Sequence, residues 1–522
     1  TVYGVHECHV TAINVEAPDY KSKMASLAAL LALFALAAPS VATDEGRPST
    51  TALSWIRTSE ENSHFYDEHG RVRIFHGSNR VMKAEPWYFD DMLENDDEFD
   101  AMAQIGFNVM RLGFMWSGYN PAEGVFNQTY IDVIKTIVDK MAARGIYTLL
   151  DMHEDVLSSK FCLYDGAPLW VMNKSVPDHE FPWPFTGDCS SRGWMANTLT
   201  EAAGHAYQDI YDNNYGMLDD LTTFWQNAAD QFQDIPSVIG YETMNEPFAG
   251  NIFADPSLLL PGVAGAKNLQ RLHDSCAAAI RKHDQRHIVF YEPVTWGMLF
   301  DGKIAGSGFT HVPGGDEYKN RSAFSYHYYC ASFVPDWTTE PTKTKLVCDH
   351  ITGPLVFKAV NEDLAKLGGG AMMTEGMSCG DEEDEQRECN FVMGKLDDNL
   401  FSWTDYGDSQ GATWDLSEAK KERWARTYAR AIAGIPKSMA FDPETKDFDF
   451  CFEIDADVTG PTEIFASTTY SYGATGPKIS TSGNVVATID EVNRDVVLVV
   501  LKDGAMSGEE ACIHLTKAEN EA

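Results

Sequence analysis

Short apolar runs alternate along most of the chain with stretches whose apolar residues return every three or four positions. Phe99, Met102 and Ile105 have that helical spacing, and Gly106 stops the helix they predict. The same spacing recurs at Tyr130, Ile134, Ile137, Val138 and Met141, and at Leu218, Leu221, Phe224, Trp225, Ala228 and Phe232. It returns at Leu269, Leu272, Cys276 and Ile280, and at Leu355, Val356, Val360, Leu364 and Leu367. Between these helices lie runs of strand length at 108–112, 147–152, 238–244, 288–292, 323–329, 371–376 and 400–404. A hairpin over 65–76, turning at Asp67-Glu68-His69-Gly70, leads into a first strand ending at Gly77-Ser78-Asn79. A last helix is expected over 420–433. Eight strands alternating with helices predict an α/β fold, a (β/α)8 barrel, over residues 43–435. The pattern changes after Pro436. Phe448, Phe450, Phe452 and Ile454 alternate with polar residues, and 463–466, 485–489 and 496–501 read as short strands with no helix between them. A small C-terminal β-sandwich over 436–522 is the expectation.

Such a barrel keeps its chemistry at the C-terminal ends of its strands. The fourth strand stops at Asn245-Glu246-Pro247, because Pro247 has no amide proton for the ladder. The seventh ends in Glu375-Gly376, where Met372 and Met373 bury the strand and Gly376 leaves room for a substrate. A lone glutamate after a strand is commonly a surface residue. Two of them on opposite walls of one barrel mouth suit a glycosidase, with Glu246 as the acid/base and Glu375 as the nucleophile. Carboxyls about 5 Å apart give retention through a glycosyl-enzyme intermediate. A partly desolvated carboxyl facing an anion keeps the proton that an acid must donate. Asn245 is placed to hydrogen-bond the sugar 2-hydroxyl, and Arg111, at the end of the second strand, to hold Glu375 ionised. His153 and Asp155 share one side of a strand end by their i, i+2 spacing, as do His327 and Tyr329. Both pairs read as sugar ligands in competition with plain packing, and the Tyr329 hydroxyl as a guide for Glu375. Trp403, at the end of the eighth strand, would stack under a sugar ring, although an isolated barrel Trp is otherwise core.

Composition adds a compartment. The formal charge of −38 disfavours nucleic acid as a partner and suits an extracellular or acidic site. Lys21 and Lys23 precede an apolar core at 27–36, and Ser40-Val41-Ala42 is a small-x-small cleavage site. Residues 1–42 therefore read as leader and signal peptide, and the protein as secreted or lysosomal. Beyond Ala42 lie nine of the ten cysteines. In an oxidising compartment the expected pairs are Cys162–Cys189, Cys330–Cys348, Cys379–Cys389 and Cys451–Cys512, with Cys276 left as a buried thiol. Sequons stand at Asn127, Asn173 and Asn320. No two cysteines have C-x2-C spacing, so a metal is not expected, and no cofactor is assigned.

These residues carry a resemblance. Arg111, His153, Asn245-Glu246-Pro247, His327-x-Tyr329, Glu375-Gly376 and Trp403 follow the pattern of glycoside hydrolase family 5. Longer stretches narrow it to the endoglycoceramidase group. They include Phe75 to Asn79 with Lys83, Asp151-Met152-His153-x-Asp155, Leu258 to Gly265, Tyr291 to Gly297, and Ser325 to Tyr329. The resemblance implies acid/base Glu246, nucleophile Glu375, no metal, and hydrolysis of the bond between an oligosaccharide and ceramide. It also implies that Lys83, Asp155 and Trp403 bind the first sugars. Glu154 stands where related chains often carry Gln.

A glycosphingolipid substrate needs an apolar groove for its leaving group. The loop over 251–265, with Ile252, Phe253, Leu258, Leu259 and Leu260, follows the acid, and the aromatic loop over 181–185 is a second wall. Such an enzyme would meet its substrate at a membrane or micelle surface, with detergent or an activator protein. The alternatives are an endo-β-1,4-glucanase of the same family, a glucosylceramidase or steryl-β-glucosidase relative, and a binding protein without activity.

Overall fold

The computed structural model describes residues 53–162, 166–189, 192, 194–294, 306–329, 350–351, 353–377, 379, 383–406 and 417–518. Eight strands close into a barrel: β1 His76–Arg80, β2 Val109–Gly113, β3 Tyr147–Asp151, β4 Val238–Glu242, β5 Ile288–Tyr291, β6 Ser322–Tyr328, β7 Gly370–Gly376 and β8 Ser402–Asp405. Each runs parallel to its neighbour, and β8 pairs back to β1. The strands are buried on both faces because both faces are covered, and most of them are largely apolar. Phe75, Val109, Leu149, Ile239, Phe290 and Met372 belong to one cluster, and a larger one joins the remaining strand residues to the helices. Those helices lie where apolar spacing put them, over Gln128–Ala142, Met217–Phe232, Gln270–Ile280 and Gly353–Leu367 among others. The first of these begins where the Asn127 side chain accepts the Tyr130 N–H.

The last helix is shorter than its apolar spacing predicts. It spans Glu418–Trp424, and Tyr428–Ile432 is a strand. That strand has partners on both sides: Ile432 pairs with Val72, and Tyr428 with Phe465. Sheet pairing outweighs a helical tendency over so short a stretch. The resulting sheet runs Arg57–Thr58, Phe65–Tyr66, Val72–Arg73, Tyr428–Ile432, Thr462–Phe465, Val496–Leu501, Val485–Ile489. The hairpin before β1 is thus part of a sheet completed from the other end of the chain. A second antiparallel sheet, Gly434–Phe441, Phe448–Ile454, Glu510–Thr516 and Lys478–Ser482, turns Phe448, Phe450, Phe452 and Ile454 inward. The C-terminal part is therefore built of antiparallel strands, as the alternation predicted.

Cys162–Cys189, Cys379–Cys389 and Cys451–Cys512 are bonded, and Cys276 is buried and free. Cys330–Cys348 and the leader at 1–42 lie outside the described residues. Among those described, no helix is long and apolar enough to cross a membrane.

Candidate active site

Arg111, on β2, is fully buried and binds side chains from four other places at the C-terminal end of the barrel. Its Nε meets Glu242 at 2.5 Å, and one terminal nitrogen donates to Asn79 at 3.0 Å and to Glu375 at 3.1 Å. The other donates to Asn245 at 2.8 Å and lies 3.1 Å from Asp151. A buried guanidinium needs this many acceptors to offset its desolvation. Burial alone would lower its pKa, but Asp151, Glu242, Glu375 and Glu292 hold it well above the usual value. Glu242 also accepts from Thr374 at 2.9 Å and from Ser325.

Around this hub stand the two glutamates. Glu375 accepts from the Tyr329 hydroxyl at 2.8 Å and from Arg111. Glu246 meets Nδ1 of His327 at 2.9 Å, and the same nitrogen is 3.9 Å from Glu375. Oxygens of Glu246 and Glu375 and a nitrogen of His327 all lie within 4.8 Å of one another. Burial and the charge of Glu246 raise the Glu375 carboxyl above its ordinary pKa, although His327 and Arg111 pull the other way. His327 is raised well above the imidazole range. Burial opposes its charge, but Glu292 and Glu375 outweigh it, helped by hydrogen bonds to Glu246 and Glu292. These anions favour the imidazolium, with Nδ1 hydrogen-bonded to Glu246 and Nε2 in an ion pair with Glu292 at 2.7 Å. The distances within Glu246–His327–Glu375 and within Glu242–Glu292–His327 would also fit a cation. An imidazolium, however, has no lone pair to offer one.

One wall of the mouth carries the Lys83–Asp155 ion pair. Lys83 also sits 5.3 Å from the centre of the Tyr406 ring, which stacks on His153 at 6.1 Å. Burial would lower the Lys83 ammonium, but Asp155 and then Tyr406 hold it above its usual range. Nδ1 of His153 is 2.7 Å from Asp151. Burial, then the charge of Lys83, keeps His153 neutral, and burial pushes Asp151 up to about 8 against the pull of Arg111. Beyond Lys83 a cavity of about 440 Å³ opens between Glu85, Trp87, Ser117 and Ser159. On another rim Trp183 meets Phe253 at 5.1 Å between ring centres. Leu259 and Leu260 are 49% and 58% exposed, whereas Leu258 is only 3% exposed and belongs to the core.

Nine of the ten candidate residues thus lie in this cluster: Lys83, Arg111, His153, Asp155, Asn245, Glu246, His327, Tyr329 and Glu375. Trp403 does not. Its ring is fully buried, stacked on His76 at 4.5 Å and set edge-on to Phe107. It points outward, under Tyr428 of the added sheet, which stacks on the other ring of this group, His76. Along a strand one residue of parity decides the face, and the aromatic ring at the mouth is Tyr406. Gly376 also has a different reason. A Cβ there would sit 2.6 Å from the Tyr328 carbonyl, so the glycine admits β6 rather than substrate. Glu154 is buried, bound by the Tyr207 hydroxyl at 2.7 Å and the Leu157 N–H at 2.6 Å. Asp151, Glu242, Glu292 and Tyr406 also belong to the site, although the sequence assigns none of them a role there. Glu292-Pro293 repeats the carboxylate–proline strand end of Glu246-Pro247, a signal that was there to be used.

The chain matches the family model described as Cellulase (glycosyl hydrolase family 5) over residues 66–416, and that of the Glycoside hydrolase family 5 C-terminal domain over 426–515. An endoglycoceramidase of Cyanea nozakii is 37% identical over 436 residues, 77% of this chain and 82% of the relative. An endoglycoceramidase of Hydra vulgaris is 38% identical over 426 residues, 76% of this chain and 78% of the relative. Endo-glycoceramidase II from Rhodococcus sp., solved with a five-membered iminocyclitol, superposes with a TM-score of 0.71 at 22% identity, covering 88% of this chain and 100% of that one. At that identity the likeness speaks for the fold alone.

Proposed function

The chain belongs to glycoside hydrolase family 5, and from that premise we propose that it is a retaining endo-glycosidase that cuts glycosphingolipids between oligosaccharide and ceramide. The observation that carries the mechanism is the approach of Glu246 and Glu375 to within 4.8 Å, which suits a covalent intermediate and leaves no room for the water of an inverting enzyme. In the first step a Glu375 oxygen attacks the anomeric carbon. The bond to the leaving oxygen breaks, and Glu246 gives that oxygen its proton. In the second step Glu246, now a carboxylate, takes a proton from water. The water oxygen bonds to the anomeric carbon as Glu375 departs. Arg111 and Tyr329 aim the nucleophile through the hydrogen bonds they make to its two oxygens.

Two further features support the substrate. The cavity beyond Lys83 gives a glycan longer than one sugar somewhere to run, as an endo-acting enzyme requires. Lys83, Asp155, His153 and Asn245 are read as the groups that meet the first sugars. Trp183, Phe253, Leu259 and Leu260 offer apolar surface to a ceramide, where a second glucose would find few hydrogen-bond partners. The named activity of the two curated relatives agrees with this reading. A lipid or detergent surface is its expected setting. The leader-like stretch and three disulfides favour an oxidising compartment. The test is incubation with lactosylceramide and mass spectrometry of the products. Intact lactose plus ceramide is expected. Glucose or galactose released one unit at a time, or faster cleavage of soluble β-glucan, would overturn the assignment.

A further inference from the structure

Glu292 follows β5 at the C-terminal end of the barrel and is buried. No step above uses it, and a buried carboxylate without a task is costly. Its Oε2 accepts the backbone N–H of Glu246 at 2.8 Å, and its Oε1 lies 2.7 Å from Nε2 of His327. The other ring nitrogen of His327 is the one that meets the Glu246 carboxyl. Glu246 has φ +41°, a left-handed conformation that a glutamate adopts only when its surroundings hold it there. From this geometry we propose that Glu292 is the positioning residue of Glu246, fixing the acid/base twice, directly at its backbone and through His327 at its carboxyl. The inference rests on the reading of Glu246 as the acid/base.

The charged groups that face this unit come from every wall of the barrel mouth. Glu242 and Glu246 come from β4 and its end, Arg111 from β2, Asp151 from β3, Glu375 from β7, and Lys83 from beyond β1. Within that set the largest charge interaction of His327 is with Glu292, and the leading charge that favours ionised Glu375 is His327. Glu292 is not among the leading influences on Glu375. Removing its charge therefore reaches the nucleophile through the imidazolium. Burial raises the Glu292 carboxyl and His327 pulls it back down, so the two hold their charges as a pair, and without Glu292 the ring gives up its proton at a lower pH. Glu375 then loses its cation and ionises at a higher one.

The experiment uses the full chain with histidine labelled with ¹⁵N, and aryl β-lactosides of rising leaving-group pKa. In the native chain the His327 ring should stay doubly protonated from pH 5 to 8. In Glu292→Gln it should titrate inside that window. The acid limb of kcat/KM should then move up by about half a unit or more. kcat should fall roughly tenfold with KM little changed, most for the poorest leaving groups. Glu292→Asp, which keeps the charge, should bring the limb back. A native His327 that titrates near the ordinary imidazole value would overturn the proposal without need of any variant. So would a folded Glu292→Gln with an unmoved limb and an unmoved His327 titration, since a merely structural residue lowers the melting temperature and leaves both alone. Neither readout involves ceramide, so failure to cleave lactosylceramide would sink the substrate assignment and leave this one standing.

Discussion

Glu375 is buried, faces a second carboxyl, and yet must be ionised to attack. Burial and Glu246 raise its pKa, and His327, then Arg111 and Lys83, limit the rise. The sign follows directly: activity should fall as pH drops through a value above the ordinary carboxyl range, not at it. A kcat/KM profile on an aryl lactoside measures that limb, and a limb at or below the ordinary glutamate value would contradict the assignment. Glu375→Gln should lower turnover by several orders of magnitude on every substrate, because the covalent route is gone. Glu246→Gln should be comparably severe on lactosylceramide but much milder for the first step on a dinitrophenyl lactoside, whose leaving group needs no proton. Equal losses on both substrates would argue against Glu246 as the acid. Strand-end glutamates, and polar pairs two apart, were legible because punctuation and parity expose them. Asp151 and Glu242 were not, since an acid inside an apolar run gives no local hint of the arginine it will meet, whereas Glu292 shares the carboxylate–proline strand end of Glu246.

Loops and single strands hold the misreadings. The place of Trp403 at a strand end suggests the mouth, but its face is set by what covers the barrel there, and Tyr428 arrives from a strand whose spacing imitates a helix. In Trp424, Tyr428 and Ile432 the spacing is four, so helical periodicity runs on past the helix, which ends at Trp424, into the strand that holds Tyr428 and Ile432. Glu154 shows the cost of a local departure. Burial lifts its carboxyl well above the usual range despite the Tyr207 hydroxyl and the Leu157 N–H. A raised folded pKa means that the folded chain holds this proton more tightly than the unfolded one. The stabilisation is complete below the unfolded pKa and is lost as pH rises through the folded value. Glu154→Gln removes that loss while keeping the shape. Its melting temperature should exceed that of the native chain at pH 8, and the gap should close towards pH 4. A gap independent of pH would show that Glu154 is not held protonated.

At the scale of the whole molecule, the proposed function asks a chain of formal charge −38 to meet its substrate at a lipid surface. Its apolar rim can supply the attraction. Trp183, Phe253, Leu259 and Leu260 are all more than a third exposed, and each Å² they bury against lipid contributes about 25 cal/mol. Replacing Leu259 and Leu260 by Ser should raise KM for lactosylceramide several-fold and leave a soluble aryl lactoside untouched. Leu258 is not part of that test, because it is core and its loss would act through stability. Charge works against the rim whenever the surface is anionic. Repulsion between like charges is long-ranged at low salt and is cut to about 8 Å at physiological ionic strength. On vesicles containing phosphatidylserine, KM should therefore fall as salt is raised from about 10 to 150 mM. On neutral detergent micelles the same change in salt should do little. If KM instead rose with salt on anionic vesicles, a local basic patch would be drawing the enzyme to the membrane, and the apolar rim would no longer explain how this acidic protein reaches its lipid.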